Sequence, residues 1–481
     1  MNHNQGMDGC IMLLCSYDNK NVVVVVCADL TFSRFTTHGV KRGRSLTHGH
    51  DDIGGDGGEM VTNIDEEADL LPNFCQHVGK LRWYSDAVME YNPESYINLD
   101  FDEHNTRRFN RLFISFKACM DGFNHCCPLL FLDGTFLKGR FKGNLLVATG
   151  KDGNLGLFLV AFAIVDSENA VNWAWFLQNL ANVVDRDRNL TFVSDRHVGI
   201  IESLPTVFQS AHHAFCMQHL QRNLKDKMKY VNKLYRIALV SKLRECAYAP
   251  TVAEFNEKIK AFIQSGRHIA VNFLQDLKPH HWENAYFRGN RYGEMCSNVA
   301  ESFNNWIKKA RHLPITQMVD AIRTQIMNQM SDRRGASSSW AGVICPKMEY
   351  KLEMAYKKGR SWTVSQSNND VYEVHSHLSV LVDIGRRTCS CFQWQINGLP
   401  CEHVVVAIRN SGSDLNALVD PYFYVTNYQS SYSEAIFPIP TVEKPQVIPG
   451  HYGILPVTVR RPPDRPKKKR IPSKGEEVQQ I

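Results

Sequence analysis

The chain has 481 residues, 43% of them hydrophobic and 22% charged, with a formal net charge of +6. That length is enough for roughly two to four domains with sizeable cores. The longest apolar run near the start, VVVVVCA, is about a third of a membrane span, so no spanning segment or secretory leader is expected there.

The expectation is a soluble, intracellular protein whose 14 cysteines are reduced thiols or metal ligands. The charge is concentrated at one end. From Arg460 onward there are eight Lys/Arg against three Asp/Glu, so the rest of the chain is close to neutral. Any electrostatic footprint for nucleic acid must come from local patches or from the tail.

In chain order, residues 1–79 are poorly patterned and contain a Gly-rich acidic linker, THGHDDIGGDGGEMVTNIDEEADL. Residues 80–127 supply a helix, KLRWYSDAVMEYNP, stopped by Pro93, then strand and helix material in RRFNRLFISFKACMDGF. Residues 128–225 alternate strands with helices. PLLFLDGTF, NLLVATGKDG and GLFLVAFAIVD are buried-type strands, the last two hairpin-connected. NWAWFLQNLANVV is an amphipathic helix, LTFVSDR a further strand, GIIESLPTVF a helix, AHHAFC a short strand and MQHLQRNLKDKM a basic helix. Three strands followed by helix–strand–helix–strand–helix predict a mixed sheet covered by helices. Residues 226–335 read as helical. In NVAESFNNWIKKA, Val299, Phe303, Ile307 and Ala310 form an apolar stripe, with Glu301, Asn304 and Lys308 on the other face. Residues 370–412 return to strands and a short helix, with Leu378, Val380, Val382 and Ile384 alternating. Residues 430–481 are a Pro-rich, basic tail.

Asp133 and Asp195 each stand at the end of an apolar strand. A carboxylate there must find solvent, a donor or a metal, yet Asp after a strand is also an ordinary turn residue. Two such acids at neighbouring strand ends can share hard divalent cations, which serve phosphodiester chemistry. Glu301, on a later helix, is the best-placed third acid. Glu168, in DSENAVNW, reads as a solvated turn, and His212 and His213 add donors without clear geometry.

CSCFQWQINGLPCEH places Cys389, Cys391, Cys401 and His403 within fifteen positions. One Cys-x-Cys pair on a strand and one Cys-x-His pair at a helix start suit a tetrahedral Zn²⁺ shell, and Pro400 suits the helix entry. Such a closed shell is structural. The segment RTCSCFQWQINGLPCEHVVVAI resembles a SWIM-type zinc finger at all four ligand positions. SWIM fingers are thought to bind DNA or protein.

From Lys80 to Lys474 the chain resembles the Mutator-like element (MULE) transposases of plants. The match is carried in order by RLFISFKACMDGF, FLDGTFLKGRFKGNLLVATGKDGN, AFAIVDSENAVNWAWFL, LTFVSDRHVGIIESLP and NVAESFNNWI. The resemblance implies a ribonuclease-H-like mixed α/β sheet with a helical insertion, plus the small SWIM domain. It also implies a D–D–E triad holding two Mg²⁺ or Mn²⁺ ions, with Asp133, Asp195 and Glu301 in the three places. The expected activity is DNA strand cleavage and transfer in the nucleus, with DNA as partner. Other nuclear proteins or self-association are further partner candidates, and no membrane is expected. The family's Cys-x-x-His falls on Cys216 and His219. On one helix face these can hold a metal, position nucleic acid, or form a packed Cys beside a hydrogen-bonded His.

RRPPDRPKKKRIPSK is a nuclear import signal, centred on Lys467, Lys468, Lys469 and Arg470, or a non-specific DNA arm or a solvated end. The family's Gly-Arg-Pro minor-groove core is disfavoured because Asp464 stands where its Gly would be. The N-terminal Cys/His cluster usual in the family is missing: Cys10, Cys15 and Cys27 are scattered, and Cys75 with His77 forms one pair alone. That keeps a second reading open, a transposase-derived transcription regulator that binds DNA without cutting it.

Overall fold

The computed structural model describes residues 71–440, apart from Glu103, His104, Arg140 and Ser413. The expectations for residues 1–70 and for the tail from 441 on, including Lys467, Lys468, Lys469, Arg470 and Asp464, lie outside the described residues.

Helix α1 (Leu71–Tyr91) ends just before Pro93. Strands β1 (Tyr96–Asp102) and β2 (Asn105–Ser115) form an antiparallel hairpin, followed by α2 (Lys117–Phe123). Then come β3 (Leu129–Phe136), β4 (Asn144–Lys151) and β5 (Leu157–Val165), almost wholly buried. Such near-continuous apolar runs belong to strands covered on both faces. Helix α3 (Ala170–Leu180) begins at the Asn169 cap, whose side chain accepts from the Asn172 N–H at 2.8 Å. Strand β6 (Thr191–Ser194), α4 (Val198–Val207), β7 (His212–Phe215) and α5 (Met217–Lys227) complete the alternation.

The seven strands make one sheet in the order β1-β2-β5-β4-β3-β6-β7. β3, β6 and β7 run parallel, and β4, β5, β2 and β1 antiparallel to their neighbours. The five strands from β5 to β7 form the ribonuclease-H-like mixed sheet that the resemblance implies. The β1–β2 hairpin widens it, an addition that strand patterning alone leaves unplaced. Trp173, Phe176, Leu177 and Leu180 of α3 are fully buried in the core that this sheet builds.

The helical region follows: α6 (Lys233–Tyr248), α7 (Val252–Leu274), α8 (Asn298–Trp306) and α9 (Ile315–Ser337). Helix α7 is interrupted at Arg267, where φ is 47° and ψ −130°. A second apolar core joins Leu224 of α5, Leu239 and Leu243 of α6, Phe262 and Phe273 of α7, and Trp282. The stripe on α8 is buried at Val299 and Phe303, while Ile307 and Ala310, also buried, lie past the helix end.

Helix α10 (Pro346–Gly359) leads to a four-stranded antiparallel sheet of β8 (Thr363–Gln366), β9 (Val371–His375), β10 (Ser379–Asp383) and β11 (Thr388–Cys389). Val380 and Val382 are buried as the alternation requires, but Leu378 is 66% exposed because it precedes the strand. This small domain starts earlier than the expected residue 370. Helices α11 (Gln393–Asn397), α12 (Glu402–Ser411) and α13 (Val425–Ser431) close the described chain. Residues 430–440, expected within the tail, are instead part of the core. Tyr432 is fully buried and donates to Asp152 Oδ2 at 2.8 Å, while Ile436 and Ile439 pack against the large sheet's cluster. Among the described residues no helix is long and apolar enough to cross a membrane.

Candidate metal and nucleic-acid site

The parallel pairing of β3 with β6 sets the first geometry. Leu129 faces Thr191 and Phe131 faces Val193. Continuing that register by two residues sets Asp133 beside Asp195, just past the end of β6, on one side of the sheet. Glu168 reaches the same place from the turn before α3. Its carboxylate lies over Gly134, where an added Cβ would fall 2.5 Å from Glu168 Oε1. A side chain at 134 would make the Glu168 carboxylate shift away. Trp173 Nε1 donates to Glu168 Oε1 at 3.3 Å and fixes it.

Helix α8 lies against β3 and β4. From it Asn304 Nδ2 donates to Asp133 Oδ2 at 2.7 Å. Glu301 lies one turn earlier, its Oε2 accepting from Gln218 Nε2 on α5 at 3.1 Å. The third acid therefore reaches this end of the sheet, but its carboxylate is engaged with α5 rather than gathered with Asp133 and Asp195. Among the described residues, neither those three carboxylates nor Asp133, Asp195 and Glu168 form a set of mutually close donor atoms.

Burial raises the Asp133 pKa to about 6, and the charges of Asp195 and Glu168 push in the same direction. His219 and the Asn304 hydrogen bond act against them. Glu168 is also raised, first by burial and then by Asp195, with His197 opposing. Three acids thus share one half-buried field, with His197 and His219 as the nearby bases. The chemistry of this donor set, hard oxygens whose mutual repulsion a divalent cation would relieve, fits Mg²⁺ or Mn²⁺.

Cys216 precedes the first turn of α5, and His219 lies within that turn. The Cys216 thiol is buried and accepts from Ser297 N at 3.2 Å and Ser297 Oγ at 3.1 Å. Hydrogen bonds from Cys296, then His219 and Ser297, hold its pKa well below the usual thiol range against the opposing effect of burial. Ser297 is the residue from which α8 starts. The geometry is that of a packed sulfur that accepts both hydrogen bonds at the start of the helix carrying Glu301 and Asn304. The hydrogen bond with Cys216 raises the His219 pKa, and the fields of Asp195 and Asp133 add to that.

Two residues of this site escaped sequence reasoning. The Ser-Glu-Asn sequence predicts a solvated turn for Glu168, but the tertiary fold brings its carboxylate over Gly134. Asn304, expected on the polar face beside Glu301, donates instead to Asp133 on β3. The histidines His212 and His213 stand on β7. His213 Nε2 lies 2.8 Å from Ser194 Oγ, and burial lowers its pKa to about 3.

The second cluster lies in the small domain. Cys389 ends β11, Cys391 follows in the turn, Cys401 caps α12 and His403 lies in its first turn. One ligand atom from each falls within 4.8 Å of all the others. Cys389 Sγ is 3.3 Å from Cys391 Sγ, and Cys391 Sγ is 3.5 Å from Cys401 Sγ. A tetrahedral ion with Zn–S near 2.3 Å asks for a sulfur–sulfur edge of about 3.8 Å. His403 Nε2 is buried without a partner, and the ring stacks on Trp362 with centroids 4.8 Å apart. Gln395 Oε1 accepts from the Cys389 N–H at 3.3 Å and its Nε2 donates to the Cys389 carbonyl at 3.1 Å, fixing the ligand strand. The left-handed Phe392 (φ 59°) and Gly398 (φ 66°) bracket α11 and fold the two pairs together.

Residues 129–223 match the family model of the MULE transposase domain, and residues 363–412 match that of the SWIM zinc finger. The chain is 24% identical over 100 residues to Protein FAR1-RELATED SEQUENCE 6 of Arabidopsis thaliana, covering 21% of this chain and 14% of that relative. It is 26% identical over 190 residues to the transposase for insertion sequence element IS1201 of Lactobacillus helveticus, covering 37% of this chain and 50% of that relative. The chain thus spans at most half the length of these curated relatives. It carries a transposase domain that contains Asp133, Glu168, Asp195, Cys216 and His219, and a C-terminal zinc-finger domain that contains the Cys/His cluster.

The raised pKa of Asp133 has a stability consequence. Between pH 4 and 6, roughly, the native state holds a proton that the unfolded chain has lost, so stability falls as pH rises through that window. Asp133→Asn removes the ionisation. In metal-free protein at pH 7 it should be more stable than wild type by about 2–3 kcal/mol. Denaturant unfolding should show the gain disappearing at pH 4, and a gain independent of pH would refute this cause.

Proposed function

We propose that the chain is a MULE-type DNA transposase, or a degenerate copy of one, which cleaves and transfers DNA strands with a divalent metal. The observation that carries this reading is the register that sets Asp133 and Asp195 at neighbouring strand ends, with Glu168 over the adjacent Gly134, within the segment that matches the transposase domain. Asp133 and Asp195 would hold Mg²⁺ or Mn²⁺. Glu168 and Glu301 supply further carboxylates, Glu301 after release from Gln218. The ions, when bound, supply an activated water and stabilise the leaving oxygen.

The chain's own residues set the conditions for that chemistry. Asn304 occupies one Asp133 oxygen and leaves the other lone pairs free. Trp173 orients Glu168. Cys216 and Ser297 fix the start of α8, so Asn304 and Glu301 are held against the sheet. His197 and His219 moderate the negative field.

On purified chain with candidate element ends and Mn²⁺, Asp133→Asn and Asp195→Asn should each abolish strand cleavage while leaving the circular dichroism spectrum unchanged. Glu168→Gln and Glu301→Gln are expected to lower it by at least about 100-fold each, on the order of losing one positioned electrostatic group. Binding to a sharp promoter motif with no cleavage in Mn²⁺ would replace the transposase with the transcription-regulator reading. The second reading is disfavoured by the retained acids, since a chain that no longer cuts DNA has no need to bury them.

The finger is proposed to hold one structural Zn²⁺ through Cys389, Cys391, Cys401 and His403, and to brace DNA or a partner protein. Cys401→Ser should lose about one Zn²⁺ per chain and open residues 363–412 to proteolysis, because metal binding is also folding energy here. Unchanged metal content would end that assignment. The site of action is then the nucleus, with Lys467, Lys468, Lys469 and Arg470 as import signal. A fluorescent fusion lacking residues 460–475 should fail to accumulate there.

A further inference from the structure

The fold brings two cysteines together from opposite ends of the helical region. Cys216 directly follows β7, and Cys296 lies in the loop before α8. The Met217 N–H donates to the Met295 carbonyl at 2.8 Å, and the Ser297 N–H donates to Cys216 Sγ at 3.2 Å. The residues on both sides of Cys296 are thus held against Cys216 and its neighbour. Chains joined by such a backbone hydrogen bond bring facing Cα atoms to about 4.5–5.5 Å. That is inside the span of about 4.4–6.8 Å that a disulfide bridges. The two thiols already share a hydrogen bond.

This pair differs from the other thiols of the core. Cys119, Cys126, Cys127, Cys246 and Cys345 are buried, and burial raises the pKa of each, so they stay protonated and unreactive. Cys216 is buried too, but its hydrogen bonds, the one from Cys296 first, keep it well below the usual thiol range. The shared proton rests on Cys296, whose pKa the same hydrogen bond raises. Cys296 is partly exposed, which makes it the side open to small solutes. Ser297, buried at the start of α8, donates both its N–H and its O–H to Cys216 Sγ. The same helix carries Glu301 and the Asn304 amide that donates to Asp133.

We infer that Cys216 and Cys296 form a reversible disulfide when the chain meets a peroxide, and that this bond releases the start of α8 from its sulfur acceptor. The shared proton passes to Cys216, and the Cys296 thiolate attacks one peroxide oxygen. The O–O bond breaks, Cys296 becomes a sulfenic acid, and the other oxygen leaves as water or an alcohol with a proton from solvent. Cys216 then attacks the sulfenic sulfur. The S–O bond breaks, and hydroxide departs as water with the proton that Cys216 held. The pair has lost two electrons and the peroxide has gained them, and a dithiol reverses the change by exchange. To bond, Cys216 Sγ must turn to within about 2.05 Å of Cys296 Sγ. A neutral, bonded sulfur also accepts more weakly than a thiolate. The Ser297 N–H and O–H therefore lose their acceptor, and the first turn of α8 loosens above Asp133. The resulting loss of cleavage rests on the proposed function, whereas the disulfide and the loosening of α8 do not.

The test treats the zinc-loaded full chain with hydrogen peroxide and blocks the remaining thiols by alkylation. Peptide mass spectrometry, hydrogen exchange over residues 298–306 and cleavage in Mn²⁺ are then measured. Wild type should give a Cys216–Cys296 cross-linked peptide that dithiothreitol removes, and faster exchange in the first turn of α8. Its cleavage should fall by at least about 100-fold, the scale of one positioned electrostatic group, and return on reduction. Cys296→Ser still donates to Cys216 and should show none of these changes while keeping its untreated activity. Cys296→Ala takes its place if the serine variant melts early. Peroxide also reaches the finger's thiols, so an equal loss of cleavage in Cys296→Ser would put the damage there and overturn the inference. Absence of the cross-link, or a cross-link that leaves exchange in α8 unchanged, would overturn it as well. A chain that forms the cross-link and loosens α8, yet never cuts DNA in Mn²⁺ when reduced, would end the transposase reading and leave the disulfide standing. Cleavage by a chain that forms no cross-link would do the reverse.

Discussion

The repulsion between Asp133 and Asp195 is the constraint around which the rest is arranged. Parallel pairing of β3 and β6 puts these two acids side by side, partly out of water, where a like charge is expensive. Asn304 and His219 temper that cost at Asp133 without cancelling it, and His197 does so at Glu168, whereas Glu168, admitted above Gly134, adds to it. A fold selected for stability alone would place apolar residues at these strand ends. In the proposed reading, a divalent cation would relieve the repulsion among the three carboxylates kept there.

The same constraint explains the long helical region between Asp195 and Glu301. It is not a detour in the chain alone. Its own core, around Leu243, Phe262 and Trp282, fuses with the end of β7 through Phe215 and Met217. The Met217 N–H donates to the Met295 carbonyl at 2.8 Å, and Cys216 accepts from Ser297. These contacts deliver α8 to the open end of the sheet with its polar face toward Asp133. The Cys-x-x-His pair is thus part of the route by which a distant segment is brought to the acids.

Much of this was legible in the residues. The buried strands carried unbroken apolar runs, so β3 to β7 and the helices between them could be placed. The Cys/His spacing marked the metal cluster because its pairs are local, and short spacing survives folding unchanged. What stayed hidden depends on tertiary approach. Glu168 lies in a Ser-Glu-Asn turn that resembles any helix entry, and nothing local says that Gly134 waits opposite. The exchange of Glu301 for Asn304 as the residue touching Asp133 is a shift of one helical turn, below what periodicity can resolve. The β1–β2 hairpin and the packing of residues 430–440 were also missed. Prolines near Ile439 suggested a loose tail, whereas Tyr432, tied to Asp152 and Arg333, anchors it.

The zinc-finger domain also shares a core with the seven-stranded sheet. Leu399 and Val405 of the finger pack in one cluster with Tyr292, Met348 and Phe423, and with Leu129, Phe131 and Val193 from β3 and β6. Gly398 comes so close to Tyr292 that an added Cβ would lie 3.1 Å from its ring, and the Gly293 N–H donates to the Ile396 carbonyl. Tyr292 in turn stands five residues before Ser297. Removing the finger would therefore strip one side from the strands that bear the acids and lay Leu129, Phe131 and Val193 open to water.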